Sequence, residues 1–329
     1  MDMTMSHPGL HDVPRALTPR QGETLRFLVP TDFSAGADKA LLHALSLAHQ
    51  VGAEVHLLHV VTRPESGASI PGFPDLEAYC RHQDTVAMQH LRRLVEAVRR
   101  RGVRARPLVR HAPDATKVIL DYANRHAVAL TVAGTYAHQG GASAPLGRTA
   151  EALVRSVRGP VLTVAPHVEV VPGLIQEVLV PFDFSEPARH ALALAGEIAA
   201  LQQARVTVLH VLEPARQRFF FEGRVTELAT HADMTKHEAH AALRRLSAGM
   251  PGLGDSVITS VVEGTPGAVI ARLAERHHMI VQGAHGRTDI DLLALGQVAE
   301  AVIRTTPCPV ITVKRITPGN EKPGVDQIS

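Results

Sequence analysis

At 329 residues the chain has the length of two domains on a prior of roughly 150 residues each, and 45% apolar residues give each of them a core to bury. Lysine and arginine exceed the carboxylates by only 34 to 32, and aromatics are 3% with no Trp, so neither net charge nor base stacking marks a nucleic-acid binder. Two cysteines, Cys80 and Cys308, make neither a disulfide framework nor a metal site and point to a reducing compartment.

Residues 1–22 lack the basic start and apolar core of a signal peptide and read as a disordered leader. A first domain is expected over 23–166. Leu25–Pro30 is a short apolar strand. Ser34 then caps a helix whose apolar positions Ala37, Leu41, Leu42, Leu45 and Ala48 keep the helical period as far as Gly52. Glu54–Val61 is a second strand, 62–74 a loop rich in Pro, Gly and Ser, and about 75–101 a long helix stopped by Gly102. The end of that helix and the turn beyond it carry Arg92, Arg93, Arg99, Arg100, Arg101, Arg104 and Arg106, which read as a solvated back. Val103–Val109 is a third strand, Pro113 opens a helix to about His126, and Val128–Ala133 is an unbroken apolar strand. A loop from Gly134 to Leu146 leads to a helix over Gly147–Val157 and a last strand, Val161–Ala165.

Residues 167–176 read as a linker, after which the order repeats over 177–315, with 316–329 a disordered tail. Strands are expected near 177–181, 205–212, 256–262, 279–282 and 309–314, and helices near 185–202, 222–248, 266–277 and 296–305. The segment LVPTDFS at Leu28–Ser34 returns as LVPFDFS at Leu179–Ser185, and Leu58-His59-Val60 returns as Leu209-His210-Val211, both 151 residues later. Gly134, Gly147 and Pro160-Val161 return as Gly283, Gly296 and Pro309-Val310 at a spacing of 149. A period this long is a whole domain and not a solenoid repeat. Strands alternating with helices make each half an α/β domain, a five-stranded parallel sheet with helices on both faces, Rossmann-like or flavodoxin-like. Ligands of such sheets bind beyond the carboxyl ends of the strands, where the strand order reverses. The most apolar helix, Ala188–Ala204, carries Arg189, His190 and Glu197, so no membrane span is expected and a cytoplasmic location is the default.

Two features stand at that carboxyl edge in both halves. Asp32 and Asp183 follow the first strand, and a thirteen-residue loop follows the fourth, over Gly134–Leu146 and Gly283–Leu295. Such connections usually take about 2–6 residues, so a long loop with glycines suggests ligand binding. It closes at a glycine opening a helix, whose free N–H groups and positive dipole end suit phosphate. An acceptor-only carboxylate on one side and a phosphate loop on the other can hold a nucleoside phosphate by its two ends. The competing reading makes the aspartates turn or cap residues and the glycines mere loop geometry.

These residues resemble the universal stress protein family in tandem form, almost end to end in both halves. That family opens on Val-Pro-Thr-Asp-Phe-Ser or a near variant, its ATP-binding members carry Gly-x2-Gly-x9-Gly-Ser/Thr after strand four, and it finishes near Pro-Val. The resemblance implies that Asp32 or Asp183 contacts the adenine-ribose end and that Val60 or Val211 meets adenine through its backbone. It further implies that the glycine loop and the following hydroxyl hold the phosphates of ATP, with Mg2+. The second half keeps Gly283, Gly286 and Gly296, with His285 inside the loop near the ligand, but Gln297 takes the place of the hydroxyl and Val298 follows it. The first half keeps Gly134 and Gly147, with Ala137 in place of the middle glycine and Arg148 in place of the hydroxyl. An alanine obstructs close approach of the backbone to a phosphate. Gln297 retains one hydrogen bond to give, Arg148 can pair with a phosphate from further away, and Thr149 can supply a hydroxyl out of register. The second half is the expected binder.

Other chemistry is set aside. His237-Glu238-Ala239-His240 is one residue short of the zinc motif and, with His231, reads as a solvated helix face. His59 and His210 are expected to be structural or at the pocket floor, and Cys308 a buried hydrophobe. Gly141-Ala142-Ser143-Ala144-Pro145 lacks the last glycine of a nucleophile elbow, and no Walker loop or Gly-x-Gly-x-x-Gly follows a strand. The expectation is a stress factor that binds ATP or a related adenine nucleotide as a regulatory ligand, without efficient turnover because no residue is a convincing general base. The alternatives are an interaction module with degenerate pockets and, more weakly, a slow ATPase. The apolar last strands invite pairing. In the family this strand joins two domains, which implies an intramolecular pseudo-dimer here and leaves a homo-oligomer open.

Overall fold

The Val/Leu-rich runs become strands and the amphipathic stretches become helices in a computed structural model of the chain. Residues 13, 15–62, 75–135, 146–169, 175–213, 235–248, 256–286 and 295–314 are described. Ala137, His231, the Gly141–Pro145 segment and the first part of the helix expected from residue 222 lie outside them. The chain divides into two units, an N-terminal one built on Ala16–Gly173 and a C-terminal one built on Leu174–Ile316.

In the N-terminal unit the order is β1 (Arg26–Pro30), α1 (Ala35–Gln50), β2 (Glu54–Val61), α2 (Leu76–Arg100), β3 (Arg104–His111), α3 (Ala115–Arg125), β4 (Val128–Gly134), α4 (Arg148–Ser156) and β5 (Val161–Val164). Its strands are all parallel, in the order β3-β2-β1-β4-β5. The C-terminal unit repeats this with β6 (Glu177–Pro181), α5 (Glu186–Gln202), β7 (Arg205–Leu212), α6 (Lys236–Ala248), β8 (Val257–Glu263), α7 (Pro266–Ala274), β9 (Met279–Gly283), α8 (Gln297–Thr305) and β10 (Val310–Val313). Its order is β8-β7-β6-β9-β10, again parallel. This is a Rossmann-like half-sheet: the chain runs outward from the first strand, then crosses back to add the fourth on its other side. The reversal falls between β1 and β4, and between β6 and β9.

Local chemistry explains the boundaries. The Ser34 hydroxyl accepts from the Ala37 N–H at 3.3 Å and Ser185 accepts from Ala188 at 3.2 Å, so both signature serines cap the helix they precede. The helix expected to open at Pro113 starts two residues later, because Asp114 is the true cap and accepts from the Thr116 N–H at 2.9 Å. The helix expected to run to residue 277 stops at Ala274: the Arg276 and His277 N–H groups turn back to the Leu273 and Ala274 carbonyls, and the His278 N–H already joins Glu177. Ahead of β1, Leu17, which the sequence places in a leader, is 1% exposed.

Each core is aliphatic. Leu28, Val29, Leu57, Leu130 and Leu162 are fully buried in the N-terminal unit, as are Leu179, Val180, Val206 and Ile280 in the C-terminal one. Each such side chain contributes on the order of 2 kcal/mol by leaving water. Among the described residues no helix is long and apolar enough to cross a membrane.

Candidate functional site

The Pro-x-Asp-Phe-Ser signature folds as one tight turn in both units. One Asp32 carboxylate oxygen accepts from the Ser34 N–H at 3.0 Å, and Asp183 accepts from Ser185 at the same distance. These are Asx turns, so the aspartates do serve as turn residues. The phenylalanine between them is left-handed, with φ of 62° at Phe33 and 67° at Phe184. A bulky side chain in that region costs on the order of 1–3 kcal/mol and persists only where its surroundings hold it. Here the holder is the histidine ending the second strand. His59 donates from Nδ1 to the Thr31 carbonyl at 2.8 Å and stacks on Phe33 at a ring distance of 4.4 Å. His210 donates to the Phe182 carbonyl at 2.7 Å and meets Phe184 edge-on at 5.0 Å. The repeated Leu-His-Val motif is therefore a clamp on the aspartate turn. The sequence places His59 and His210 correctly at this end but gives no sign of their ring partners.

The glycines at the ends of β4 and β9 have a packing role. A Cβ on Gly134 would stand 2.8 Å from the Gly36 carbonyl carbon and 2.9 Å from its oxygen, inside the first turn of α1. On Gly283 it would meet Pro187 and the Ala188 nitrogen at 3.0 Å. Both glycines let the fourth strand touch the helix that follows the aspartate turn. Gly147 and Gly296 instead open α4 and α8 with no side-chain cap. Their N–H groups close the base of the long loop, Gly147 to the Thr135 carbonyl at 2.8 Å and Gly296 to Ala284 at 2.9 Å.

In the N-terminal unit these parts surround a cavity of about 540 Å³ at the switch point. Asp32, His59 and Val60 line one side, and Gly134, Gly147 and Arg148 the other. The expected site residues of that half are thus brought together. Asp32 is exposed and Val60 buried, so the carboxylate reaches solvent above an apolar floor. Asp38, in the first turn of α1, is held above the ordinary carboxylate range by desolvation and then by the Asp32 charge.

Threonines, missed by sequence reasoning except for Thr149, complete the far wall. Thr135 follows Gly134, lines the cavity and is 1% exposed, with no hydrogen-bond partner for its Oγ1 among the described residues. Thr149, in the first turn of α4, also lines the cavity and shares a 3.0 Å hydroxyl contact with Thr116 at the start of α3. The signal was present in the position of Thr135, one residue beyond a strand-ending glycine.

In the C-terminal unit the corresponding residues lie at the matching edge with different chemistry. Ala284 stands at the place of Thr135, and Gln297 and Val298 at the places of Arg148 and Thr149; both of these are exposed. Asp183 and Val211 are half-buried, Gly296 is buried, and His285 is 7% exposed just beyond Ala284, with Gly286 after it. Lys314, following β10 at the same edge, has its ammonium drawn down to about 8 by burial. Cys308 is buried and its thiol is pushed up to about 12 by that burial, so it is an inert hydrophobe. Among the described residues no cluster of His, Cys, Asp or Glu could hold a metal ion.

The fold, the doubled aspartate turn and the switch-point edge define a tandem α/β protein with two candidate sites built on one plan. The model of the universal stress protein family matches residues 24–165 and again 175–314, and the chain belongs to that family. It is similar to a universal stress protein of Methanocaldococcus jannaschii, 30% identical over 151 residues that cover 44% of this chain and 84% of the relative. Among solved structures, a universal stress protein of Archaeoglobus fulgidus superposes with a TM-score of 0.67 at 21% identity, covering 88% of this chain and 98% of that one. One from Pseudomonas aeruginosa does so with a TM-score of 0.62 at 18% identity, covering 89% and 94%. At these identities the two structures speak for the fold alone.

Proposed function

We propose that the protein is a nucleotide-responsive universal stress protein that binds ATP or a related adenine nucleotide as a regulatory ligand and does not turn it over efficiently. The observation that carries this reading is the switch-point cavity of the N-terminal unit, within the roughly 300–1,000 Å³ usual for small-ligand sites. Asp32 offers acceptors to ribose hydroxyls, the edge at Val60 takes the base, and the uncapped N-terminus of α4 with Arg148, Thr149 and Thr135 takes the phosphates. Magnesium would sit among the phosphates, supplied with oxygen ligands mainly by the nucleotide and water.

The sequence ranks the C-terminal half first on its three glycines. The supporting geometry instead favours the N-terminal half, because Gly134 and Gly283 serve helix packing and the N-terminal half has Thr135, Arg148 and Thr149 around its cavity where the C-terminal half has Ala284, Gln297 and Val298. Among the described lining residues the candidate bases, Asp32 and His59, are engaged in holding the aspartate turn, which supports binding over hydrolysis.

Titration calorimetry of the full chain with ATP and magnesium tests the proposal. One binding event abolished by Asp32→Ala and kept by Asp183→Ala is the expected result. Loss through Asp183→Ala alone restores the sequence-based ranking, and absence of heat with no co-purifying nucleotide leaves the interaction-module reading in its place.

A further inference from the structure

The arginine cluster behind α2 plays no part in the cavity. Arg92, Arg93, Arg99 and Arg100 are exposed on α2, Arg101 is exposed in the turn, and Arg104, Arg106 and Arg110 are exposed on β3. From Arg92 to His111 the single carboxylate is Glu96 and there is no lysine, in a chain whose whole net charge is +2. The matching edge strand of the C-terminal unit, β8, reads VITSVVE and has no basic residue.

Two ordinary explanations cover part of the cluster. Cations in the last turn of a helix complement its dipole, which accounts for Arg99 and Arg100. Charge on a terminal strand discourages unwanted pairing, and β3 ends its sheet. Neither reaches Arg92 and Arg93, about two turns earlier on α2.

Four of the eight guanidinium groups are held without being neutralised. Arg104 donates from Nη2 to the Gly52 carbonyl at 2.7 Å, Arg99 to Ala105 at 3.2 Å, Arg101 to Ala97 at 3.4 Å and Arg110 to Val109 at 3.0 Å. A carbonyl holds a fork in place but cancels none of its charge, and each fork retains further N–H donors. Among the described residues none of these arginines is in an ion pair, unlike Arg81, Arg125 and Arg155.

We propose that this edge of the N-terminal unit, where α2 and β3 present arginines from the two faces of the sheet, binds the phosphate backbone of a double-stranded nucleic acid without reading its sequence. Arg104, Arg106 and Arg110 share the face of β3 that is in register with His56 and turned toward Tyr122 of α3, with buried Leu108 between them, while α2 lies against the opposite face. Their run of about 20 Å is the length of about six phosphates along one strand of a duplex. The charges ride on a helix and a strand, a stiff array suited to a stiff and regular lattice of anions. Between Tyr79 and Tyr122 there is no aromatic residue on which unpaired bases could stack. Among the described residues the exposed large apolar ones, Leu201, Ile258 and Val298, all belong to the other unit, so the described part of this edge offers no anchor for a lipid surface.

Fluorescence anisotropy of a labelled mixed-sequence DNA duplex of about 24 base pairs, titrated with the full chain between about 50 and 200 mM salt, tests this. Binding is expected with a slope of log affinity against log salt of about −5. The triple variant Arg104→Gln, Arg106→Gln, Arg110→Gln flattens that slope by about 3 and Arg92→Gln, Arg93→Gln by about 2, with unchanged thermal unfolding. The two variants lie on different elements, so misfolding of one leaves the other as a test. No binding at the low-salt end overturns the proposal, as does a slope that neither folded variant changes. Capture of an oligoglutamate peptide in preference to the duplex also overturns it and names an acidic protein as the partner.

Discussion

At the carboxyl edge of the N-terminal unit, Thr135, Thr149 and Arg148 stand around a cavity, with Thr116 behind Thr149. At the same positions the C-terminal unit has Ala284, Val298, Gln297 and, at the second position of α7, Gly267. The three hydroxyls and the cation are thus absent together from the matching positions, while the aspartate turn, its histidine clamp and the loop-closing glycine are kept in both. The features that differ belong to the far wall of the cavity, and the features that persist are those that hold backbone. The two halves share the scaffold and differ in the chemistry of the cavity wall.

Four measurements break or sharpen that comparison. The largest effect is expected at the strand-ending glycines. Gly134→Ala forces a methyl into the backbone of Gly36 and is expected to cost about 3 kcal/mol, whereas Gly283→Ala meets Pro187 at a longer distance and costs about 1 kcal/mol. Denaturant unfolding of the two variants reads both, and equal costs would remove the packing explanation. Next is Thr135→Val, which removes a buried hydroxyl lacking a partner among the described residues. It is expected to leave stability unchanged or raise it by about 1 kcal/mol while weakening nucleotide binding about tenfold, a split that calorimetry beside thermal melting would show. Unchanged affinity would detach the threonines from the site.

The third concerns protonation. His56 is buried in the N-terminal unit, bonded to the Tyr122 hydroxyl at 2.7 Å and to Glu54 at 3.2 Å, where the C-terminal unit has Thr207 bonded to His277. Burial holds His56 below the ordinary histidine value of 6.5, outweighing the pull of Glu54 in the other direction. As pH falls through that ordinary value, the unfolded chain takes up a proton that the folded chain refuses, so stability falls with pH. His56→Gln should flatten the fall of the melting midpoint between about pH 7.5 and 5.5. Thr207→Val should leave it as it was. The smallest difference is in thiol chemistry: half-buried Cys80 should alkylate with iodoacetamide at least about tenfold faster than Cys308 in the folded protein, and equal rates would contradict the burial of Cys308.

The architecture was legible because it rests on periodicity and repeated landmarks, and β2, β6 and β7 fall where the apolar runs place them. The aspartate turn was legible too, as Asp32 and Asp183 both sit at the switch point. What the sequence concealed was function shared between distant residues. Gly134 looks like a phosphate-loop glycine until α1 is seen against it, since the contact that demands it comes from Gly36, almost a hundred positions earlier. Phe33 looks like filler until its left-handed backbone and the His59 ring are seen together. Thr116 and Thr149 belong to different helices, and no local pattern announces that their hydroxyls touch.

The hydrogen bond from Gly147 to Thr135, matched by Gly296 to Ala284, has a consequence for how such a chain can change. It fastens both ends of the loop to the sheet with a single backbone link, so the segment between is a cassette whose letters can be rewritten without disturbing the strands. Lengthening a loop already closed at its base costs only fractions of a kcal/mol per added residue. Exchanging the loop inserts between the two halves should therefore leave both folds standing, with any ligand preference staying with Thr135, Arg148 and Thr149 on the flanking elements.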